Sequence, residues 1–135
     1  MTIVVDASVA MRWSATLARS DRAEALLECD EPIIAPDLVI AEITNAAWKA
    51  AVFGGASLEA VALVVHESAD YFDELVPAVD LKNRALEIAL SLKHPAYDCF
   101  YLALAEQRDC KLITADERLH ARCAKTPFAR LVKPL

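Results

Sequence analysis

The sequence predicts an α/β fold in which a short-stranded parallel sheet is covered by helices on both faces, an α/β/α sandwich. Three observations point there. Short apolar runs rich in valine and isoleucine alternate with longer helical patterns, the alternation expected of strand–helix–strand units. Alanine, the strongest helix former, is abundant, whereas glycine occurs only at Gly54 and Gly55. The 135 residues contain no repeat, linker or low-complexity tract, so residues 1–135 read as a single domain. A chain near that size buries roughly 68–70% of the surface its unfolded form exposes.

Each element has its own local reason. Residues 2–5 form a β-branched run ending at Asp6, a strand entering a turn. From 8 to 29 the pattern is helical and divides into two helices, with Asp21 capping the second. Residues 32–35 are a second apolar run closed by Pro36, after which Asp37 caps a helix that runs to Phe53 and stops at Gly54-Gly55. Ser57-Leu-Glu-Ala60 has the spacing of a capping box and opens a helix through Asp73. Residues 75–79 are a weak strand interrupted by Pro77, and Asp80 caps the next helix, ending near Lys93. His94-Pro95 breaks the chain before a helix at 96–108, a strand at 111–114, a short helix at 116–124 and a last strand at 130–132.

Composition excludes several functions. Two adjacent glycines cannot build either type of Gly-rich phosphate loop. Twenty acidic against 14 basic side chains give a net charge of −6, which argues against sequence-blind binding of nucleic acid by a broad basic surface. Cys29, Cys99, Cys110 and Cys123 form no CxxC pair, and without a secretory leader they read as reduced residues rather than a disulfide framework or zinc site. The longest apolar patch, at 61–65, is far short of the roughly 20 residues of a membrane span. The chain reads as cytoplasmic.

Ligands of open parallel sheets bind beyond the carboxyl ends of the strands, and four acids stand out by that criterion. Asp6 follows the first strand; Asp116 follows the strand at 111–114 by two residues; Asp98 lies in the first turn of its helix; Glu42 interrupts the apolar stretch 38–43. Each also has an ordinary explanation. Asp6 and Asp98 suit helix N-termini, Asp116 lies within the capping-box spacing of Thr114 and Glu117, and Glu42, Asn45 and Lys49 make a solvated stripe. Brought together, the four would repel: two unit charges 4 Å apart cost about 4 kcal/mol at an effective dielectric of 20. Such a site holds a proton or a cation, and oxygen-only ligands select a hard ion such as Mg²⁺ or Mn²⁺. His66, His94 and His120 have no ligand spacing and read as surface residues.

Four segments, in order, resemble the PIN-domain ribonucleases, and most closely the VapC-type toxins of toxin–antitoxin pairs. They are Ile3-Val-Val-Asp-Ala-Ser-Val9 with Arg12-Trp13, Pro36-Asp-Leu-Val-Ile-Ala-Glu-Ile-Thr-Asn45, Tyr97-Asp-Cys-Phe-Tyr-Leu-Ala-Leu-Ala105 and Leu112-Ile-Thr-Ala-Asp-Glu-Arg-Leu119. The resemblance covers essentially the whole chain. It implies a PIN-like fold, with Asp6, Glu42, Asp98 and Asp116 as a catalytic, metal-binding quartet for Mg²⁺ or Mn²⁺. Ser8, Asn45 and Thr114 match its supporting polar positions, and Arg12 its substrate-binding basic position. The implied activity is metal-assisted hydrolysis of RNA, with a VapB-like antitoxin as partner and a homodimer as the assembly. Arg12, Lys49, Arg118 and Arg122 are candidates to line the approach of RNA. The competing reading is a catalytically idle PIN-like module in a repressor complex, which the complete quartet disfavours. A DxD-type phosphatase is disfavoured because Ala7-Ser8 follows Asp6. The high apolar content suggests a further buried surface, for which the helices around 46–53 and 58–65 are candidates.

Overall fold

The β-branched run at the N-terminus forms β1 (Ile3–Val5), and all three residues are buried, as a strand covered on both faces requires. The computed structural model describes residues 1–14 and 19–135; the helical pattern at 15–18 lies outside the described residues. Strands β2 (Ile33–Pro36), β3 (Glu74–Val76), β4 (Lys111–Thr114) and β5 (Val132–Pro134) complete a sheet of order β3-β2-β1-β4-β5. Every pairing is parallel: Val4 aligns with Ile34 on one side and Leu112 on the other.

Among the described residues, seven α-helices connect and cover these strands: α1 (Ala7–Ser14), α2 (Ser20–Glu28), α3 (Leu38–Phe53), α4 (Leu58–Glu67), α5 (Lys82–Leu92), α6 (Ala96–Arg108) and α7 (Glu117–Cys123). From β1 the chain winds outward to β2 and β3, then crosses back to β4 and β5. Right-handed crossovers in opposite directions put α1 and α3 on one face and α5, α6 and α7 on the other. Helix α1 packs on α2 and α3, whereas α6 packs on α5 and on β1, β2 and β4. The reversal between β1 and β4 is the topological switch point, where the carboxyl ends of two adjacent strands diverge into helices on opposite faces. Asp6 and the segment after Thr114 lie there by construction.

The core runs through Val4, Val5, Val39, Ile88, Leu102, Leu104, Leu112 and Leu119, all essentially inaccessible. Alanine lets α6 approach the sheet closely, since Ala103 and Ala105 are buried between the leucines. Trp13 belongs to this packing: it lies against Tyr71 and Phe72, and its indole N–H donates to the Ala23 carbonyl at 2.6 Å. Trp48 and Phe53 are exposed and meet each other edge to face. Cys99, Cys110 and Cys123 are free and buried, and Cys29 is free and exposed.

Helix α6 and strand β4 have the predicted bounds, and Ser57 caps α4 by accepting from the Ala60 N–H at 3.1 Å. Other boundaries differ for identifiable reasons. Asp21 lies inside the first turn of α2, whose cap position is Arg19 in left-handed backbone (φ 64°). The Asp37 carboxylate leaves its own helix and accepts from the Ala78 N–H at 2.9 Å, tying α3 to the end of β3. Asp80 ends a 3-10 turn (Ala78–Asp80), so α5 begins only at Lys82. Helix α4 stops at Glu67 because a 3-10 turn (Ser68–Tyr71) follows, stitched by the Ser68 hydroxyl to the Val65 carbonyl. The last strand is Val132–Pro134 rather than 130–132, since a 3-10 turn (Pro127–Leu131) takes up the preceding residues.

Candidate active site

Asp6 caps α1 and occupies the switch point at once. Its Oδ1 accepts from the Val9 N–H at 3.3 Å and from the Ser8 hydroxyl, and its Oδ2 accepts from the Thr114 hydroxyl across the β1–β4 junction. Only 6% of the residue is exposed. Burial pushes its carboxyl up from 3.8 to about 6, with the nearby Asp98 charge adding to the rise and the three hydrogen bonds opposing it. The capping explanation thus holds for this residue, and the same side chain stands at the carboxyl end of β1 beside β4. Ser8 Oγ also accepts from the Ala115 N–H at 3.0 Å, and Thr114 Oγ1 from the Asp116 N–H at 3.0 Å. These two hydroxyls, at the supporting positions picked from sequence, clamp the ends of β1 and β4 together.

Glu42 reaches the same region from α3. The Tyr101 hydroxyl, on α6, donates to its Oε1 at 2.5 Å. Burial holds the Glu42 carboxyl above its usual range, and the charges of Asp98 and Asp6 add to that while the tyrosine opposes it. Tyr101 is 1% exposed and holds its proton strongly, through burial and the carboxylates around it. Asp98 stands one turn earlier on α6, with Oδ2 at 2.6 Å from His94 Nε2. Asp6 thus feels the charge of Asp98, Glu42 feels those of Asp98 and Asp6, and the tyrosine between α3 and α6 feels all three.

Asp116 is joined less directly. Its Oδ1 caps α7 by accepting from the N–H groups of Arg118 and Leu119 at 2.9 and 3.3 Å, and its link to Asp6 runs through Thr114. Asn45 is exposed and lines a shallow cleft of about 280 Å³ with Ser8, Met11, Glu42 and Lys49. The Arg12 guanidinium donates to the Ser8 carbonyl on its own helix. Two partners of the quartet escaped the sequence reading. Tyr101 stands among the buried apolar positions of α6, and the sequence assigns no role to it. His94, expected at the surface, has a side chain only 12% exposed and contacts Asp98. Its spacing of four from Asp98 was the available signal, masked by Pro95, which reads as a break between the two residues.

The donors facing this cluster are carboxylate and hydroxyl oxygens, the set that suits a hard cation. Among the described residues, no three His, Cys, Asp or Glu side chains gather at a spacing that would hold an ion between them. Mg²⁺ dehydrates reluctantly and is commonly bound through one or two carboxylates plus waters, and this arrangement fits such a hydrated ion. A carboxylate whose charge is disfavoured first by burial and then by a neighbouring acid is relieved by a proton or by a cation.

The PIN-domain family model matches residues 3–125. The chain belongs to the PIN-domain family. A relative of this PIN domain, Ribonuclease VapC3 of Pyrobaculum aerophilum, is 31% identical over 136 residues, covering 99% of this chain and all of the relative. Two solved structures share its fold. The crystal structure of PAE2754 from Pyrobaculum aerophilum superposes with a TM-score of 0.72 at 24% identity, over 90% of this chain and 79% of that one. VapBC2 from Rickettsia felis, bound to a DNA fragment from the promoter, gives a TM-score of 0.67 at 10% identity, over 100% and 99%. The five-stranded parallel sheet of this PIN domain is thus that of its structural neighbours. Among its described residues, no helix is long and apolar enough to cross a membrane.

Proposed function

We propose that this PIN domain is a Mg²⁺- or Mn²⁺-dependent endoribonuclease and the toxin of a VapBC-type pair. The observation that carries the reading is Asp6. It is a buried carboxylate at the switch point, raised to about 6, whose partners Ser8, Val9 and Thr114 supply neutral donors while Asp98 adds negative charge. An arrangement that destabilises its own charged state is suited to receive a cation. Membership of the PIN family and likeness to a protein named as a ribonuclease support RNA as the substrate.

Asp6 and Asp98 would hold the ion, with Glu42 and Asp116 in support. When bound, the ion supplies positive charge to the phosphate and makes a water more acidic. The chain's own residues prepare the place. Ser8 and Thr114 fix both oxygens of Asp6, Tyr101 fixes one oxygen of Glu42, and His94 fixes one oxygen of Asp98. Glu42 shares its surroundings with Asp6 and Asp98, whereas Asp116 has one oxygen committed to capping α7; Glu42 is therefore the better placed of the two to orient a water. The proposed setting is the cytoplasm, with a VapB-like antitoxin as partner. The proposed homodimer has exposed apolar residues available on α3 and α4, including Trp48, Phe53, Leu58 and Leu63.

The test is cleavage of total RNA by the purified protein in Mn²⁺ or Mg²⁺. Asp6→Asn and Asp98→Asn are each expected to abolish cleavage while the circular dichroism spectrum stays native. Equal activity in EDTA, or full activity of the Asp98→Asn protein, overturns the metal assignment.

A further inference from the structure

A cleft of about 620 Å³ lies between the start of α6 and the outer side of α7, lined by His94, Pro95, Arg118, Ala121 and Arg122. It is separate from the cleft that contains Glu42 and Lys49 and from the one that contains Arg19 and Asp116. Arg118 and Arg122 are one helical turn apart on α7, so both side chains project from the same face. Among the described residues, neither guanidinium has an ion-pair or hydrogen-bond partner. That contrasts with Arg84 and Arg108, which are held by Glu87, Glu106 and Glu74.

The helix itself does not account for the pair. Arg122 is in the last turn of α7, where a cation is favoured, but Arg118 is in the first turn, where the aligned peptide dipoles disfavour one. Two unpaired arginines in a chain of net charge −6 are thus kept side by side in a cleft. The cleft also adjoins the carboxylates. Its wall residue His94 touches Asp98 at 2.6 Å, and the backbone N–H of Arg118 is held at 2.9 Å by Asp116. Guanidinium groups recognise phosphate in a planar, two-pronged manner that suits a polyanion running past them.

We propose that this cleft is a subsite for backbone phosphates of single-stranded RNA next to the bond that is cut, with Arg118 and Arg122 each pairing one phosphate. The proposal rests on the ribonuclease reading above. It explains how an acidic protein holds RNA: through two arginines beside the carboxylates rather than through a broad basic face. Arg12, bonded to its own helix, and Lys49, across the Glu42 cleft, are not part of it.

The experiment measures binding of a fluorescein-labelled single-stranded RNA by anisotropy, in EDTA so that nothing is cut, between about 50 and 200 mM KCl. Each phosphate contact on a single strand contributes about 0.7 to the slope of log affinity against log salt. Arg118→Ala/Arg122→Ala is expected to lower that slope by about 1.4, and each single variant by about half as much. Across this fourfold range of salt, the wild type then loses roughly sevenfold more affinity than the double variant. Arg118→Lys/Arg122→Lys keeps the slope, since the charge remains, and shows that loss of charge rather than of fold is read. In Mn²⁺ the double alanine variant raises KM for RNA while kcat stays close to wild type. An unchanged salt slope overturns the subsite, including the case in which the cleft instead takes an acidic protein segment. The two readings fail separately. Loss of cleavage in Asp6→Asn with an unchanged slope in the arginine variants removes only the subsite. A lowered slope in a protein that no metal makes cleave removes only the catalytic reading.

Discussion

Replacing Asp6 by asparagine is expected to stabilise the metal-free protein, and to do so only above a definite pH. The wild-type carboxyl has its proton held in the fold up to about pH 6 against an ordinary value of 3.8. Between those two values the unfolded chain has lost a proton that the folded chain keeps, so stability falls as pH rises through the window and stays lowered above it. A difference of that size corresponds to about 3 kcal/mol at neutral pH, at about 1.4 kcal/mol for each pH unit. Asparagine has no charge to bury, but its amide cannot accept from both hydroxyls as the carboxylate does, which costs about 1 kcal/mol at every pH. The variant should therefore be slightly less stable than wild type near pH 4 and about 2 kcal/mol more stable at pH 7. With an unfolding entropy of about 2.1 cal/mol/K per residue, 1 kcal/mol moves the Tm of a chain this long by roughly 3–4 °C. Thermal melts in EDTA at several pH values, for both proteins, give the difference directly. A gap in Tm that is constant from pH 4 to pH 7 refutes the assignment of a buried, proton-holding Asp6.

Three further outcomes follow from the same geometry. Added Mn²⁺ should raise the wild-type Tm, with about 2.7 kcal/mol of stabilisation at a hundredfold excess over Kd; Asp6→Asn should abolish that shift, and chelation should reverse it. Tyr101→Phe removes the donor to Glu42 Oε1 and leaves a partly buried carboxylate short of a partner, so it should cost about 1.5–3 kcal/mol in chemical denaturation at pH 7. The same change raises the Glu42 carboxyl further, since the tyrosine opposes its rise, and moves the acidic limb of the cleavage profile to higher pH. Thr114→Val removes the bond to Asp6 and strands the Asp116 N–H; unfolding measurements should register a loss of about 1–3 kcal/mol, and RNA cleavage should fall with it.

The parallel sheet was legible because its strands are short, apolar on both sides and separated by helical patterns, which few other architectures tolerate. Helix α6 could be bounded to the residue because Pro95 precludes an earlier start and Asp109 ends it in left-handed backbone (φ 51°). Caps were less legible. Asp37 has the right residue type in the right place, yet its carboxylate goes to Ala78, 41 positions away, and no local pattern announces a tertiary partner. The candidate site divides the same way. Asp6 and Asp98 stand at ends of elements, where their placement is readable. The Tyr101 bond to Glu42 spans 59 positions and joins two helices, so it exists only once the fold does. His94 was within reach, four residues before Asp98, but a proline between them reads as the end of one element and not as the shoulder of the next.

The clamp between Asp6 and Thr114 joins residues 108 positions apart, and that separation has a consequence for synthesis. Strand β1 leaves the ribosome early, but the neighbour that completes its carboxyl end is translated near the end of the chain. At about 5–20 residues per second, the interval is roughly 5–20 s. Throughout that time Asp6 lacks the Thr114 hydroxyl, and the arginines of α7 have not been made. The carboxyl ends of β1 and β4 are therefore joined only when translation is nearly over, and the burial of Asp6 is among the last events of folding.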